Sequence, residues 1–244
     1  DVTRGDEVWN SSQVWYMPFD DMDDPVTDEI SMWPWREAYY TINVCNFILS
    51  RTTGDDASLS ESMKRIKGQA LFLRGYSYYT LAGYYQNPAL ITDYANYSSL
   101  DGLYGKNSTY DDVLDQVEKD FAEAMTLLPS RDAGGEWAKG RATCGAAAGY
   151  YARTLMQRHK YSDALTVLKD IMNKKYGSYK LMANYGDNFR EGSAYENNAE
   201  SLFEIQYLDY GSQGVDDEWT PVNTSPNATQ GLSLIHISEP TRPY

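Results

Sequence analysis

Histidine and cysteine are scarce in this chain, two of each among 244 residues, and that scarcity removes much of the chemistry an enzyme draws on. No metal-ligand pair, nucleophile elbow or phosphate-binding glycine loop can be assembled from the residues present. His159 lies in a polar turn beside Lys160, where a solvated imidazole is the ordinary state, and His236 sits in a tail treated below. No catalytic residue, cofactor or metal is expected. Cys45 and Cys144 both fall inside helical patterns, where a cysteine acts as a small buried hydrophobe, and neither spacing nor loop context supports a disulfide. No apolar run reaches the roughly 18 residues of a transmembrane helix, so none is expected. Basic residues are also few, 21 Lys and Arg against 35 Asp and Glu, for a net charge of -14. Such a chain repels phosphate backbones and anionic headgroups, which excludes nucleic acid as a partner and disfavours direct contact with lipid.

What is present is ample core material, 42% apolar and 14% aromatic, enough for one large or two modest domains. Tyrosine leads the aromatics, 22 against 6 Trp and 6 Phe. A tyrosine stacks a ring face and hydrogen-bonds at the same place, which suits polar ligands such as sugars.

Residues 1 to 32 are rich in Asp, Trp and Pro without steady periodicity and read as irregular chain. From Trp35 the pattern becomes helical: Trp35, Tyr39, Ile42, Asn46 and Leu49 share a stripe, predicting a first helix over 33–52 ended by Gly54. Trp33 and Trp35, at its start, are expected to pack. Ser58 or Ser60 caps a second helix, with Glu61 favouring its dipole, that runs to about Tyr85 before Pro88 stops it. Ile66, Ala70, Leu73, Ser77, Leu81 and Tyr84 form its expected core stripe, with Arg74 mid-face and the small residues Ala70 and Ser77 admitting a neighbour closely. Residues 88 to 108 make a connection too long for a bundle turn, of the kind that carries function.

Thr109 opens a third helix with Leu114, Val117, Phe121, Ala124 and Leu128 on one face and Pro129 as its stop; Asp111, Asp112 and Asp115 complement its dipole. A fourth helix is predicted from about Lys139 to Gln157, crowded by neighbours because Ala142, Gly145, Ala148 and Ala152 are small. A fifth covers 161–173 with Tyr161, Ala164, Leu168 and Ile171 facing in. The last two form an antiparallel hairpin. Ala152 and Ala164, with Leu168, match the small-small-large contacts of a tetratricopeptide repeat, and helices two and three read as a second, interrupted unit of a curved scaffold. Beyond Tyr176 the helical period is lost, and 179–182 and 200–207 read as short strands or buried extended segments.

Leu232 to Arg242, LSLIHISEPTR, looks like translated sequencing-adapter DNA, so 232–244 is set apart as a non-native tail. Asp1 is not an initiator methionine, so the start is expected to be processed or incomplete.

Five segments in order, WREAYYTINVCNFIL, IKGQALFLRGYSYYTLAGYYQNPAL, YDDVLDQVEKDFAEAMTLLP, GRATCGAAAGYYARTLMQRHKYSDALTVLKDIM and NNAESLFEIQY, resemble the signature of the SusD/RagB family over about residues 6 to 210. The resemblance implies a mostly α fold: a SusD-like helical scaffold of tetratricopeptide-like helix pairs with irregular loops and a few short strands. It implies one SusD-like domain over 1–231, with both ends missing. It also implies a non-catalytic, lipid-anchored protein of the outer-membrane surface of Bacteroidota. Such a protein binds glycans, or sometimes peptides, and hands them to a SusC-like TonB-dependent transporter. One departure stands out: many members carry Gly in the turn after helix two, where this chain reads Tyr85-Gln86-Asn87-Pro88-Ala89-Leu90.

A sugar site needs flat aromatic faces flanked by hydrogen-bonding side chains. Trp9, Asn10, Trp15 and Tyr16 supply that mixture in irregular chain, in the segment that lies on the ligand side in the family, and Trp219 is a further candidate. Asp20, Asp21, Asp23 and Asp24 lack the glycine and terminal glutamate of a calcium loop and read as a solvated acidic turn. Two other readings compete. A generic tetratricopeptide adaptor predicts a peptide groove and no need for Trp-rich loops, and an α/α-barrel glycosidase fragment predicts two opposed carboxylates in one cleft.

Overall fold

Five α-helices run through the residues that the computed structural model describes, 29–53, 56–99, 102, 105–190 and 195–205. They are α1 (Glu29–Arg51), α2 (Glu61–Tyr85), α3 (Tyr110–Leu127), α4 (Cys144–Gln157) and α5 (Tyr161–Met172). The chain divides into two units, Asp1–Trp35 with Gln206–Tyr244, and Arg36–Ile205; the packing below belongs to the second.

Capping sets the starts. Ser60 accepts a hydrogen bond from the Met63 amide at 3.3 Å, Thr109 from Asp112 at 3.2 Å and Thr143 from Ala146 at 3.1 Å. Each satisfies an amide that has no partner within its helix, an effect of about 1 kcal/mol. Thr143 also explains why α4 begins at Cys144 rather than near Lys139: residues 135–138 form a separate 3₁₀ turn. At the other end of the chain's helical run, α1 begins at Glu29, before the expected 33, and takes Pro34 inside it.

α2 packs on α3, α3 on α4 and α4 on α5, so α2 to α5 follow one another in space as in sequence. The predicted face of α3 is buried throughout, from Leu114 to Leu128. α2 departs from its expected stripe. Ala70, Ser77 and Leu81 are buried, but Ile66, Leu73 and Tyr84 are exposed, and Phe72, Arg74, Gly75 and Tyr78 face inward instead. The close approach to α3 is made at Gly68 and Gly75: a Cβ on Gly75 would stand 3.2 Å from the Phe121 ring, and one on Gly68 would stand 2.9 Å from Leu128. Glycine seven residues apart on one face lets the α3 ridge settle against the α2 backbone.

The α4–α5 hairpin buries Ala148, Ala152, Leu155, Ala164, Val167 and Ile171 in one cluster. Ala152 and Ala164 meet there as the repeat pattern predicts. Leu168 does not; it is exposed together with Tyr161, and Val167 takes the inward position. Arg158 and Lys160, in the hairpin turn, both donate to Glu118 of α3, at 2.7 and 2.8 Å. Arg158 also bonds Asp115, so that aspartate does more than complement the dipole. His159 is exposed in the same turn.

Among the described residues there is no β-strand. Segment 200–205 is the extended alternative: Leu202 packs against the hairpin cluster, and Phe203 lies 4.9 Å from Phe72 within the ring cluster of Tyr76, Phe121 and Tyr150. Its alternating pattern therefore reflects packing onto helices. The Lys180 amide donates to the Ala199 carbonyl at 3.0 Å, tying the residue just before this segment to the chain after α5.

Candidate functional site

Arg74, 6% exposed on α2, makes a two-pronged pair with Asp120, 1% exposed on α3, through Nε to Oδ2 at 2.8 Å and Nη2 to Oδ1 at 2.6 Å. Gln116 adds a third donor to Asp120 at 2.7 Å. Burial pushes the Asp120 carboxyl up and the guanidinium draws it back; Arg74 is itself held charged, because Asp120 outweighs its own burial. With three charge-assisted donors on one carboxylate, the pair is ionised at neutral pH. The pair reaches beyond the helix interface. Arg74 Nη1 donates to Asn46 Oδ1 of α1 at 2.8 Å, and Asn46 Nδ2 donates to the Ile91 carbonyl at 2.7 Å.

Ile91 belongs to the long connection after α2, and the scaffold grips that connection at several points. The Tyr78 hydroxyl donates to the Ile91 carbonyl and accepts from the Ile91 amide, each at 2.8 Å. Tyr39 donates to the Ala89 carbonyl at 2.7 Å, and Ser108 Oγ accepts from the Leu90 amide at 3.1 Å. Burial pushes both phenols, Tyr39 and Tyr78, well above the usual range, so they stay protonated donors. The turn into this connection is tight. Gln86 has φ 61 and ψ -64, and the Asn87 amide donates to the Tyr85 carbonyl at 2.7 Å. That is a γ-turn of the rarer, strained hand, centred on the position where the resemblance leads one to expect glycine.

Held this way, the connection presents a 3₁₀ turn, Tyr94–Ser98, capped by Asp93, which accepts from the Ala95 amide at 2.9 Å. Tyr94 packs edge-on against Phe47 of α1, ring centroids 5.2 Å apart, and against Tyr97 at 5.7 Å. The Arg51 guanidinium lies 5.3 Å from the Phe47 centroid. Phe47 and Tyr94 remain 42% and 38% exposed. Half-exposed rings beside Asp93, Asn96 and Arg51 combine apolar faces with polar edges, the pairing a sugar ring requires.

Two other recesses lie in the same unit. Arg131 donates to the carbonyls of Asn197, Asn198 and Ser201, at 3.0 to 3.1 Å, and lies over the Tyr179 ring. Its donors are committed to holding the 197–204 segment, so the small cleft beside Trp137 is structural. The second is an apolar groove lined by Tyr40, Val44, Ile48, Ile66 and Leu73. Among the described residues no cluster of His, Cys, Asp or Glu is placed to hold a metal ion.

The residues favoured from sequence, Trp9, Asn10, Trp15, Tyr16 and Trp219, lie outside the described residues, as do Asp20 to Asp24 and the 232–244 tail. Sequence reading singled out the 88–108 connection by its length but missed Phe47, which the helical period alone does not mark as exposed beside Tyr94. It also missed the role of Asn46 and Tyr78, whose partners lie 45 and 13 residues away.

Comparisons with known proteins agree with this architecture. A SusD superfamily protein from Bacteroides vulgatus superposes with a TM-score of 0.72 at 24% identity, covering 84% of this chain and 43% of that one. A SusD-like carbohydrate-binding protein from Bacteroides fragilis gives 0.68 at 25% identity, covering 82% and 38%. A laminarin-binding SusD-like protein gives 0.63 at 22% identity, covering 77% and 41%. The chain thus spans about two fifths of the length of these structures. Among curated proteins no relative matches. Residues 2–156 match the model of a SusD-like family described as starch-binding and associating with the outer membrane, and the chain belongs to that family.

Proposed function

We propose that this chain binds glycans at the outer-membrane surface without hydrolysing them, and delivers them to a TonB-dependent transporter. The observation that carries the reading is the family match over residues 2–156, whose description couples starch binding to the outer membrane. The carbohydrate-binding and laminarin-binding relatives of the same fold support a saccharide ligand. Lipid anchoring and the SusC-like transporter rest on the family resemblance. Trp9, Asn10, Trp15, Tyr16 and Trp219 are proposed ligand contacts.

Affinity electrophoresis of the full chain in gels containing soluble starch or laminarin tests this. Retardation by either polysaccharide, weakened in Trp9→Ala and Trp15→Ala, is expected, with no release of reducing sugar. Migration unaffected by both would overturn glycan binding, and sugar release would overturn the non-catalytic part. Unchanged retardation in both Trp variants would remove those two contacts alone.

A further inference from the structure

The backbone beneath the rings of the 94–98 turn is fixed from both ends. On the inner side, Ile91 is bound through its amide and its carbonyl by Tyr78, and its carbonyl also receives Asn46. Arg74 adds a longer contact to the Thr92 carbonyl at 3.4 Å. On the outer side, the Gly102 amide donates to Ser99 Oγ at 3.1 Å, and a Cβ on Gly102 would collide with the Asn96 carbonyl. Asp93 closes the start of the turn and Ser98 Oγ donates to the Ala95 carbonyl at 2.6 Å.

A binding surface gains affinity when the ordering of its parts is complete before the ligand arrives. Tyr and Phe rings add large contact area at little further cost in side-chain freedom. The chain's charge of -14 favours a neutral ligand over an anionic one. Arg51, which lies over the Phe47 ring, and Asp93 and Asn96, beside and within the turn that carries Tyr94, offer donors and acceptors for the hydroxyl groups around a pyranose whose C–H face meets an aromatic face.

We propose that Phe47, Tyr94 and Tyr97, with Arg51 over the Phe47 ring and Asp93 and Asn96 in the same stretch of chain, form a saccharide-stacking subsite. Tyr78 and Asn46 act as its positioning residues by clamping Ile91. The proposal rests on the glycan-binding reading and adds a location to it, separate from the Trp residues proposed above.

The test uses native-gel retardation by soluble starch and laminarin, with thermal unfolding of each variant measured alongside. Tyr94→Ala and Phe47→Ala, at half-exposed positions, are expected to lower apparent affinity about tenfold. Tyr78→Phe never touches the ligand, yet is expected to lower it roughly threefold or more by loosening the turn. Tyr150→Phe makes the same deletion in the ring cluster of α4 and is expected to bind like the wild type. Retardation of Tyr94→Ala and Phe47→Ala equal to wild type would overturn the subsite and leave the glycan-binding reading standing. An equal loss in Tyr150→Phe would overturn the positioning role, because the effect would then follow general loosening. A wild-type chain retarded by neither polysaccharide would remove the reading and the subsite together.

Discussion

The hydroxyl of Tyr78 exchanges two hydrogen bonds with one residue, Ile91, donating to its carbonyl and accepting from its amide, each at 2.8 Å. A buried side chain on α2 thereby does for the following connection what a neighbouring strand does in a sheet: it satisfies both backbone groups of a residue that has left regular structure. Tyr78→Phe removes both bonds and leaves the Ile91 amide without that acceptor. The expected cost is about 1–3 kcal/mol of stability, read from urea or thermal unfolding, with faster hydrogen exchange at the Ile91 amide as the local signature.

The Arg74–Asp120 pair predicts a contrast between single and double substitution. Arg74→Met leaves a buried carboxylate with only Gln116 as donor and is expected to cost about 3–5 kcal/mol. Arg74→Met combined with Asp120→Leu removes both charges and is expected to recover most of that loss. Asn46 still loses its Arg74 donor in the double variant. Denaturant midpoints of the three proteins check this, and a double variant no more stable than the single would show that the charges themselves support the fold.

Gln86 carries a positive φ of 61 in a γ-turn. Glycine adopts that conformation without a Cβ clash, so Gln86→Gly is expected to stabilise the chain by roughly 1 kcal/mol. The gain is partly offset by the greater freedom of glycine in the unfolded chain. Gln86→Val, branched at Cβ, is expected to move the melting temperature the opposite way.

Glu200 predicts a pH response at the far end of the unit. Its Oε2 accepts from the Met182 amide at 2.9 Å and from Asn188 at 3.1 Å, and these bonds hold its carboxyl below the ordinary value of 4.5. A lowered folded-state value means the tie contributes stability above the unfolded value and loses it as pH falls through the lower, folded one. The Met182 amide resonance is therefore expected to titrate with a midpoint below 4.5, and Glu200→Gln to abolish that titration.

Local signals made most of the helices legible in the residues alone. Ser60 and Thr109 mark starts because a hydroxyl at that position reaches an unpaired amide, and α2 and α3 begin directly after them. Pro88 and Pro129 mark ends because they supply no amide and restrict the residue before them. The α3 stripe was legible because one flat face of that helix meets the core. The α2 stripe was not: its partners meet it from α3, α4 and the following connection, while Ile66 and Leu73 line an apolar groove beside α1, so a single-stripe rule fails and Ile66, Leu73 and Tyr84 end outside. In α5, Val167 and Leu168 are adjacent and both apolar, and only the packing of α5 on α4 decides which one is buried.

Composition, capping, proline stops and the ordered motifs thus determined the helix order, the fold class and the resemblance to the family, since each depends on residues within a few positions of one another. Tertiary structure alone decided that Arg74 meets Asp120 across 46 residues, and that Asn46 and Tyr78 converge on Ile91. It also decided that Phe47 stands beside Tyr94. Hydrogen bonds and ring contacts at such separations depend on how the helices pack, and no spacing along the chain encodes that geometry.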